Sequence, residues 1–142
     1  MENTNCIFCK IICGEIPSET LYEDENFRVI LDIAPSAKGH AIVISKRHCT
    51  DLFSSDSATM SNALFVIAKV ADAIKKALAC DGINILQNNG KAAGQSIFHL
   101  HFHILPRYND DNLTIPGKTL SYSDGEAAEI AEKIRQELAS SF

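Results

Sequence analysis

An α+β domain with a mainly antiparallel sheet is the fold class this sequence predicts. Three observations carry it: short runs of β-branched residues joined by hairpin-length connections, one long amphipathic helix among them, and a second helix at the end. Strands and helices do not alternate, which disfavours a doubly wound parallel sheet. Neither G-x-G-x-x-G nor a Walker loop occurs.

In chain order, "NTNCIFCKIICGEIP" reads as a cysteine knuckle with a short helical turn, stopped by Gly14 and Pro17. Leu21–Glu23 and Phe27–Ile33 form a hairpin that turns over Asp24–Asn26. "APSAKG" is a loop, and "HAIVIS" (40–45) is a third strand of β-branched residues. The long helix carries Met60, Leu64, Ile67, Ala71, Ile74 and Leu78 as one apolar stripe, with Ser55 or Asp56 to cap its start and Gly82 just past its end. "INILQNN" (83–89) and "SIFHLHFHILPRY" (96–108) are the last strands, separated by the glycine loop "GKAAGQ". Ser123 and Glu126 make a capping box, opening a final helix through Ile130, Ile134 and Leu138.

A chain of 142 residues with 46% hydrophobic content is sized for one domain, residues 1–142, with a single core. Eighteen acidic residues against 13 basic ones disfavour a nucleic-acid polymer as partner, though not a small nucleotide. No signal sequence opens the chain, and no uninterrupted apolar run approaches the roughly 20 residues of a membrane helix. The cysteine count is odd, and Cys6 and Cys9 form C-x-x-C. Without an export signal this points to metal binding rather than disulfides, in a cytoplasmic protein with no membrane association.

Residues 94–108, "GQSIFHLHFHILPRY", hold three of the five histidines, at 99, 101 and 103. On a strand these alternate positions share a face, while Leu100, Phe102 and Ile104 point into the core. Three histidines on one metal is a strained arrangement, since His99 and His103 start about 13 Å apart at ~3.3 Å per residue. Two neighbours sharing an ion with a ligand from elsewhere stays open, as does a division of labour among the three.

The stretch "HLHFHIL" resembles the H-φ-H-φ-H-φ-φ signature of the histidine-triad (HIT) family. "CIFCKIICGEIPSE", "LDIAPSAKGHAIVISKRH" and "NNGKAAGQS" are similar to the same family's blocks in order and spacing. The resemblance covers about residues 6–107, a catalytic core, and is closest to the bacterial C-x-x-C members of the Hint-type branch. It implies a HIT-like fold: a roughly five-stranded antiparallel sheet, one long central helix, a C-terminal helix, and homodimerisation through the long helix and a strand.

It also implies chemistry at the α-phosphorus of nucleotides. His101 would be the nucleophile that forms a nucleotidyl-histidine, with a carbonyl holding its Nδ1–H so that Nε2 is free. His103 would lie by the phosphoryl oxygens or leaving group, with His40 as a helper. Gln95 and Ser96 would donate to the phosphate or leaving nitrogen, and Gly94 would let the backbone approach the anion. Asp32 would hold the ribose hydroxyls, Asn88 would line the phosphate site, and Ile33 and Phe8 would contact the base. Read without the resemblance, Ile33 and Phe8 are ordinary core. Cys6, Cys9, His48 and His99 would bind a structural Zn²⁺, leaving Cys13 and Cys49, each near enough to compete as a ligand, as small buried hydrophobes, and Cys80 at the end of the long helix with no partner.

The implied function is a nucleoside phosphoramidase acting on AMP-type purine nucleotides, with no organic cofactor. Dinucleoside polyphosphate hydrolysis, a zinc-activated hydrolase and a zinc-stabilised nucleotide-binding module are the alternatives. The third triad position is His103 rather than the glutamine of the transferase branch, which favours hydrolysis. The extension of about residues 108–142 departs from the family pattern: it has no tryptophan, and offers only "IPGK" where some relatives carry Trp-Pro-Pro-Gly.

Overall fold

The computed structural model describes residues 5–115 and 117–140, so both ends of the unit expected over 1–142, and Pro116 of "IPGK", lie outside the described residues. Five strands form one antiparallel sheet in the order β1-β2-β3-β5-β4. The strands are β1 (Thr20–Glu23), β2 (Phe27–Leu31), β3 (Ala41–Ser45), β4 (Gly82–Leu86) and β5 (His101–Arg107), accompanied by helices α1 (Ile7–Ile12), α2 (Ser57–Leu78) and α3 (Glu126–Ala139). The α+β class with five antiparallel strands and a long helix stands as expected.

Alternation along the three central strands decides everything about the site. Phe27, Val29, Leu31, Ala41, Val43, Leu100, Phe102 and Ile104 join the core beneath α2 and α3. The intervening Ile30, Ile42 and Ile44 pack under α1 on the opposite face. His101 pairs with Ile44 and His103 with Ile42 across the β3–β5 ladder, which puts both imidazoles on the α1 face. Each large side chain fully buried in this way contributes about 1.5–3 kcal/mol, so a one-residue register slip, which would exchange the two faces, is strongly disfavoured.

Several boundaries differ from expectation, each for a visible reason. The ladder of β5 begins at His101 rather than 96, because Leu100 sends its N–H to the Cys49 carbonyl (2.7 Å) outside the sheet. β2 stops at Leu31, and β4 stops at Leu86 before a loop. Asp56 caps α2 through the Thr59 N–H (2.7 Å), but the helix ends at Ala79 in the left-handed region (φ 53°), and Gly82 begins β4 instead. The buried face of α2 is Ala63, Val66, Ile67, Val70, Ala73 and Ile74. Leu64 of the expected stripe is 61% exposed, beside exposed Phe65. The other five residues of that stripe lie in the core (Ile67, Ile74) or pack against it (Met60, Ala71, Leu78), so the spacing selected the right face except at Leu64.

By length and composition α2 is long and apolar enough to cross a membrane, the one such helix among the described residues. Here its buried face forms the core with the sheet and α3. At α3 the capping box is half formed. Glu126 accepts the Ser123 N–H at 3.0 Å, while left-handed Gly125 (φ 78°) precedes the first helical residue. The extension braces the loop after β2: Leu120 N–H donates to the Pro35 carbonyl, Gly39 N–H to the Tyr122 hydroxyl, and Lys38 pairs with Glu126.

Candidate active site

Helix α1 spans six residues and has no side-chain cap, far too short to persist by itself. What seats it is a cluster at its N-terminal end. Cys6, Cys9, His48 and His99 bring their donor atoms within 4.8 Å of one another. The Cys6 Sγ and Cys9 Sγ lie 3.3 and 3.6 Å from His99 Nδ1; His48 Nδ1 is 3.4 Å from Cys9 Sγ and 3.0 Å from His99 Nδ1. Tetrahedral zinc, with Zn–S about 2.3 Å and Zn–N about 2.0 Å, requires donor-to-donor edges of roughly 3.3–3.8 Å, close to this set.

The protons agree with that geometry. His99 Nε2 lies 2.6 Å from the Ser45 carbonyl, which can only accept, so Nε2 carries the hydrogen and neutral Nδ1 offers a lone pair to the cluster. Burial lowers the His99 proton affinity to about 4, which keeps it neutral. Two cysteine sulfurs and two imidazole nitrogens converging on one point fit zinc. In such a site these four side chains would hold the ion, which would link α1 to the triad and supply structural rigidity.

Further along the row, the other histidines are settled by hydrogen bonds of opposite sense. His101 Nδ1 lies 2.6 Å from the His99 carbonyl, so Nδ1 is protonated and Nε2 bears the lone pair. His40 Nδ1 instead accepts the Ser36 N–H (3.1 Å), which places the His40 hydrogen on Nε2, facing His103 Nδ1 at 2.8 Å. His103 therefore accepts at Nδ1 and carries its own hydrogen on Nε2. The rings of His101 and His103 stand 5.0 Å apart. One presents a lone pair and the other an N–H.

All three are kept neutral. Burial lowers the proton affinity of His101, partly offset by the His99 carbonyl and the Asp32 charge. Burial, then the charge of His101, brings His40 to about 4. Burial followed by the charges of His101 and His40 does the same for His103. Asp32 is pushed up by burial, partly offset by the Ala34 N–H on its Oδ1 (2.9 Å).

His101 and His103 face a cavity of about 240 Å³. Its apolar end is formed by Ile7, Phe8, Ile11, Ile30 and Ile42, and its polar end by Asp32, Asn88, Gly94, Ser96 and the two histidines. Phe8 stands edge-on to both His101 (4.9 Å between centroids) and His99 (5.8 Å). Gly94 has φ 92°, a conformation that favours glycine, and a Cβ there would meet the Asn88 amide at 3.5 Å. The arrangement combines an apolar slot, a carboxylate beside it, and an imidazole lone pair next to an imidazole N–H.

The structure brings together His40, His101, His103, Asp32, Ile33, Phe8, Asn88, Gly94 and Ser96 around this cavity, and Cys6, Cys9, His48 and His99 beside it. Gln95 lines the wall but is committed elsewhere. Its Oε1 accepts the Gly90 N–H, and its amide donates to the Thr50 and Ile97 carbonyls, so it holds the loop instead of reaching into the cavity. Ile33 is 84% exposed, not core; Phe8 is buried and lines the slot as well. Cys13 is exposed and Cys49 half-buried, contrary to the expectation of burial, while Cys80 is buried. Ile30 and Ile42 were missed as lining residues, although strand alternation with His103 could have found them. The Ser36 N–H and Ser45 carbonyl are backbone groups without a side-chain signal.

Together the fold and site define an α+β protein with an imidazole row set between a Cys2His2 cluster and an apolar-to-polar cavity. The HIT domain family matches over residues 13–110, and the chain belongs to the HIT family. It is 41% identical over 140 residues to "Protein hit" of Bacillus subtilis, covering 96% of this chain and 97% of that one. It is 39% identical to the adenylylsulfatase HINT3 of Arabidopsis thaliana (96% of this chain, 71% of that protein). It is 41% identical to the adenosine 5′-monophosphoramidase hnt1 of Schizosaccharomyces pombe (75% and 77%). The crystal structure of a Zn-bound histidine triad family protein from Mycobacterium smegmatis superposes with a TM-score of 0.86 at 40% identity, covering 96% of this chain and 94% of that one.

Proposed function

We propose that this protein hydrolyses AMP-type purine nucleoside phosphoramidates at the α-phosphorus through a nucleotidyl-His101 intermediate. The observation that carries the reading is the opposite proton placement on His101 and His103 at the polar end of the cavity. The base lies in the slot between Phe8 and Ile33, and Asp32 accepts from the ribose hydroxyls. The His101 Nε2 lone pair forms a bond to phosphorus as the phosphorus–nitrogen bond to the leaving amine breaks. The leaving nitrogen takes that electron pair and a proton from solvent, relayed by the Ser96 hydroxyl, and the water that later attacks phosphorus returns one proton to solvent. The His103 Nε2–H donates to a phosphoryl oxygen, stabilising charge as it develops. Water then attacks phosphorus from the side the amine vacated, releasing AMP and restoring the His101 lone pair.

Support comes also from the S. pombe relative, an adenosine 5′-monophosphoramidase. The A. thaliana relative, named an adenylylsulfatase, favours sulfate as a second class of leaving group. His101 belongs to neither metal-capable group, which supports a nucleophile rather than a holder of metal-bound water. Zinc is structural in this reading. Exposed Leu64 and Phe65 on α2 and exposed Ile85 on edge strand β4 support a homodimer through that helix and strand. Free cysteines among the described residues suit a reducing compartment, the cytoplasm.

The test is a steady-state panel on the zinc-loaded protein: adenosine 5′-phosphoramidate, adenylyl sulfate and a dinucleoside polyphosphate, with AMP release as the readout. The phosphoramidate is expected to give the highest kcat/KM. Preference for the dinucleotide would move the function to that alternative. Tight AMP binding with no turnover of any of the three would make the chain a nucleotide-binding module.

A further inference from the structure

The Cys2His2 cluster and the reacting imidazole share a residue, and they use different parts of it. The His99 ring faces Cys6, Cys9 and His48 through Nδ1, while its backbone carbonyl takes the His101 Nδ1–H at 2.6 Å. The ring is held from the other side by the Ser45 carbonyl, again at 2.6 Å, so its position is fixed between β3 and the knuckle. Beyond that carbonyl the main chain is tied through Leu100: its N–H goes to the Cys49 carbonyl (2.7 Å), on the same loop that carries His48, and its carbonyl accepts the Ser45 N–H at a long 3.4 Å and the Ser45 hydroxyl at 3.3 Å. Regular sheet pairing begins only at His101.

A second connection runs through Phe8, which lies between the two cysteine ligands in sequence. Its ring edge touches both the His99 and the His101 imidazoles. Helix α1 presents that ring, and α1 is anchored by the cluster, by apolar packing on Ile30, Ile42 and Ile44, and by one Arg28 hydrogen bond to the Ile11 carbonyl. No described side chain other than those of the cluster and Ser45 is hydrogen-bonded to the His99 ring.

We propose that His99 is a positioning residue for His101: occupation of the Cys2His2 cluster by a metal holds the His99 carbonyl where it fixes the His101 proton on Nδ1 and leaves Nε2 free. A metal-loaded cluster then sets the reactivity of the nucleophile, beyond any part it has in folding. When the ring loses its ligand partners, the carbonyl gains freedom, the 2.6 Å bond lengthens, and the His101 proton redistributes between the two nitrogens. Only the Nδ1–H form presents a lone pair to the cavity, so the reactive fraction falls while the cavity persists. The kinetic arm of this inference rests on the reading under Proposed function; the proton placement itself does not.

The experiment uses the full-length protein labelled with ¹⁵N. Long-range ¹H–¹⁵N spectra report which His101 nitrogen is protonated, and methyl spectra report the integrity of the core. Four samples are compared: zinc-loaded wild type, wild type stripped with a chelator, His48→Ala, and His48→Cys. The last keeps four ligands as Cys3His, a set that zinc accepts. The expected result is a single Nδ1–H form of His101 in the loaded protein and in His48→Cys, and a mixture in the stripped protein and His48→Ala with the core spectrum kept. Phosphoramidate kcat should fall about tenfold to a hundredfold in the two deficient samples and recover in His48→Cys, with AMP affinity changed far less.

A single Nδ1–H form that survives metal loss in a folded protein overturns the proposal. So does global unfolding of both stripped wild type and His48→Ala, because the cluster would then hold the whole fold instead of one carbonyl. If loaded wild type turns over no nucleotide, the reading of the reaction fails. The metal dependence of the His101 proton would still stand or fall on the spectra.

Discussion

Among the described residues, two groups of metal-capable side chains flank His101, the proposed nucleophile, and only one is arranged to hold an ion. Cys6, Cys9, His48 and His99 form one group; Asp32, His40 and His103 form the other, with ligand atoms equally close. In the first, the one hydrogen of neutral His99 is taken by the Ser45 carbonyl on the far side of the ring, so its lone pair converges with two sulfurs and a second imidazole nitrogen. In the second, the imidazole lone pairs are already used: His40 Nδ1 accepts from Ser36 and His103 Nδ1 accepts from His40, which leaves the Asp32 carboxylate, its Oδ1 taking the Ala34 N–H, as the one group with lone pairs to offer. Residue type and proximity are therefore insufficient to define a metal site. The placement of protons makes one group a clamp and the other a relay, with His101 between them.

The sharpest way to break this contrast is to remove the residue on which both groups act. His101→Ala should lower phosphoramidate turnover at least about a thousandfold while AMP affinity changes by no more than a few-fold. A modest loss of turnover would mean that the reacting group lies elsewhere. Next in size is metal content. Cobalt titration should end at one tightly held ion per chain with the spectrum of a tetrahedral thiolate site, unaltered in a His40→Ala, His103→Ala double variant. A second tight ion, lost in that variant, would make the relay a metal site after all.

A smaller effect separates the relay from simple binding. His40→Ala frees His103 from its imposed proton placement without touching the slot, so kcat should fall about tenfold to a hundredfold with KM changed little. Parallel changes in KM would make His40 a binding residue. The smallest effect is on stability. Burial brings His40 and His103 from 6.5 in the unfolded chain to about 4 in the folded protein. Each then binds protons more readily when unfolded. Their contribution is fully present above pH 6.5 and is lost as pH falls toward 4. Urea midpoints with zinc in excess should be flat from pH 7 to 8, fall below 6.5, and fall less in His40→Gln; an identical fall in that variant would contradict the assignment.

Much of this was legible in the sequence because strand alternation is a local rule. Leu100, Phe102 and Ile104 are buried on one face, with the histidines on the other. The C-x-x-C pair and the two histidines carry recognisable side-chain chemistry, and they do converge. What escaped was set by backbone and by tertiary packing. One edge of the buried face of α2 was misplaced: Leu64 is as apolar as Val66, and only the position of α3 and the sheet decides between them. Gln95 was expected to donate to the phosphate or leaving nitrogen on the resemblance alone, and in the structure its side chain is bonded to Gly90, Thr50 and Ile97. The proton order along His40 and His103 depends on one Ser36 N–H, which no side-chain pattern announces.

The most direct test of the central claim, that His101 attacks phosphorus, is intact-protein mass spectrometry on zinc-loaded enzyme quenched during turnover of adenosine 5′-phosphoramidate, with His101→Ala beside it. The account predicts an adenylyl adduct on wild type that is absent from His101→Ala and maps to a peptide containing residue 101. An adduct on another residue, or one that persists in His101→Ala, would contradict it.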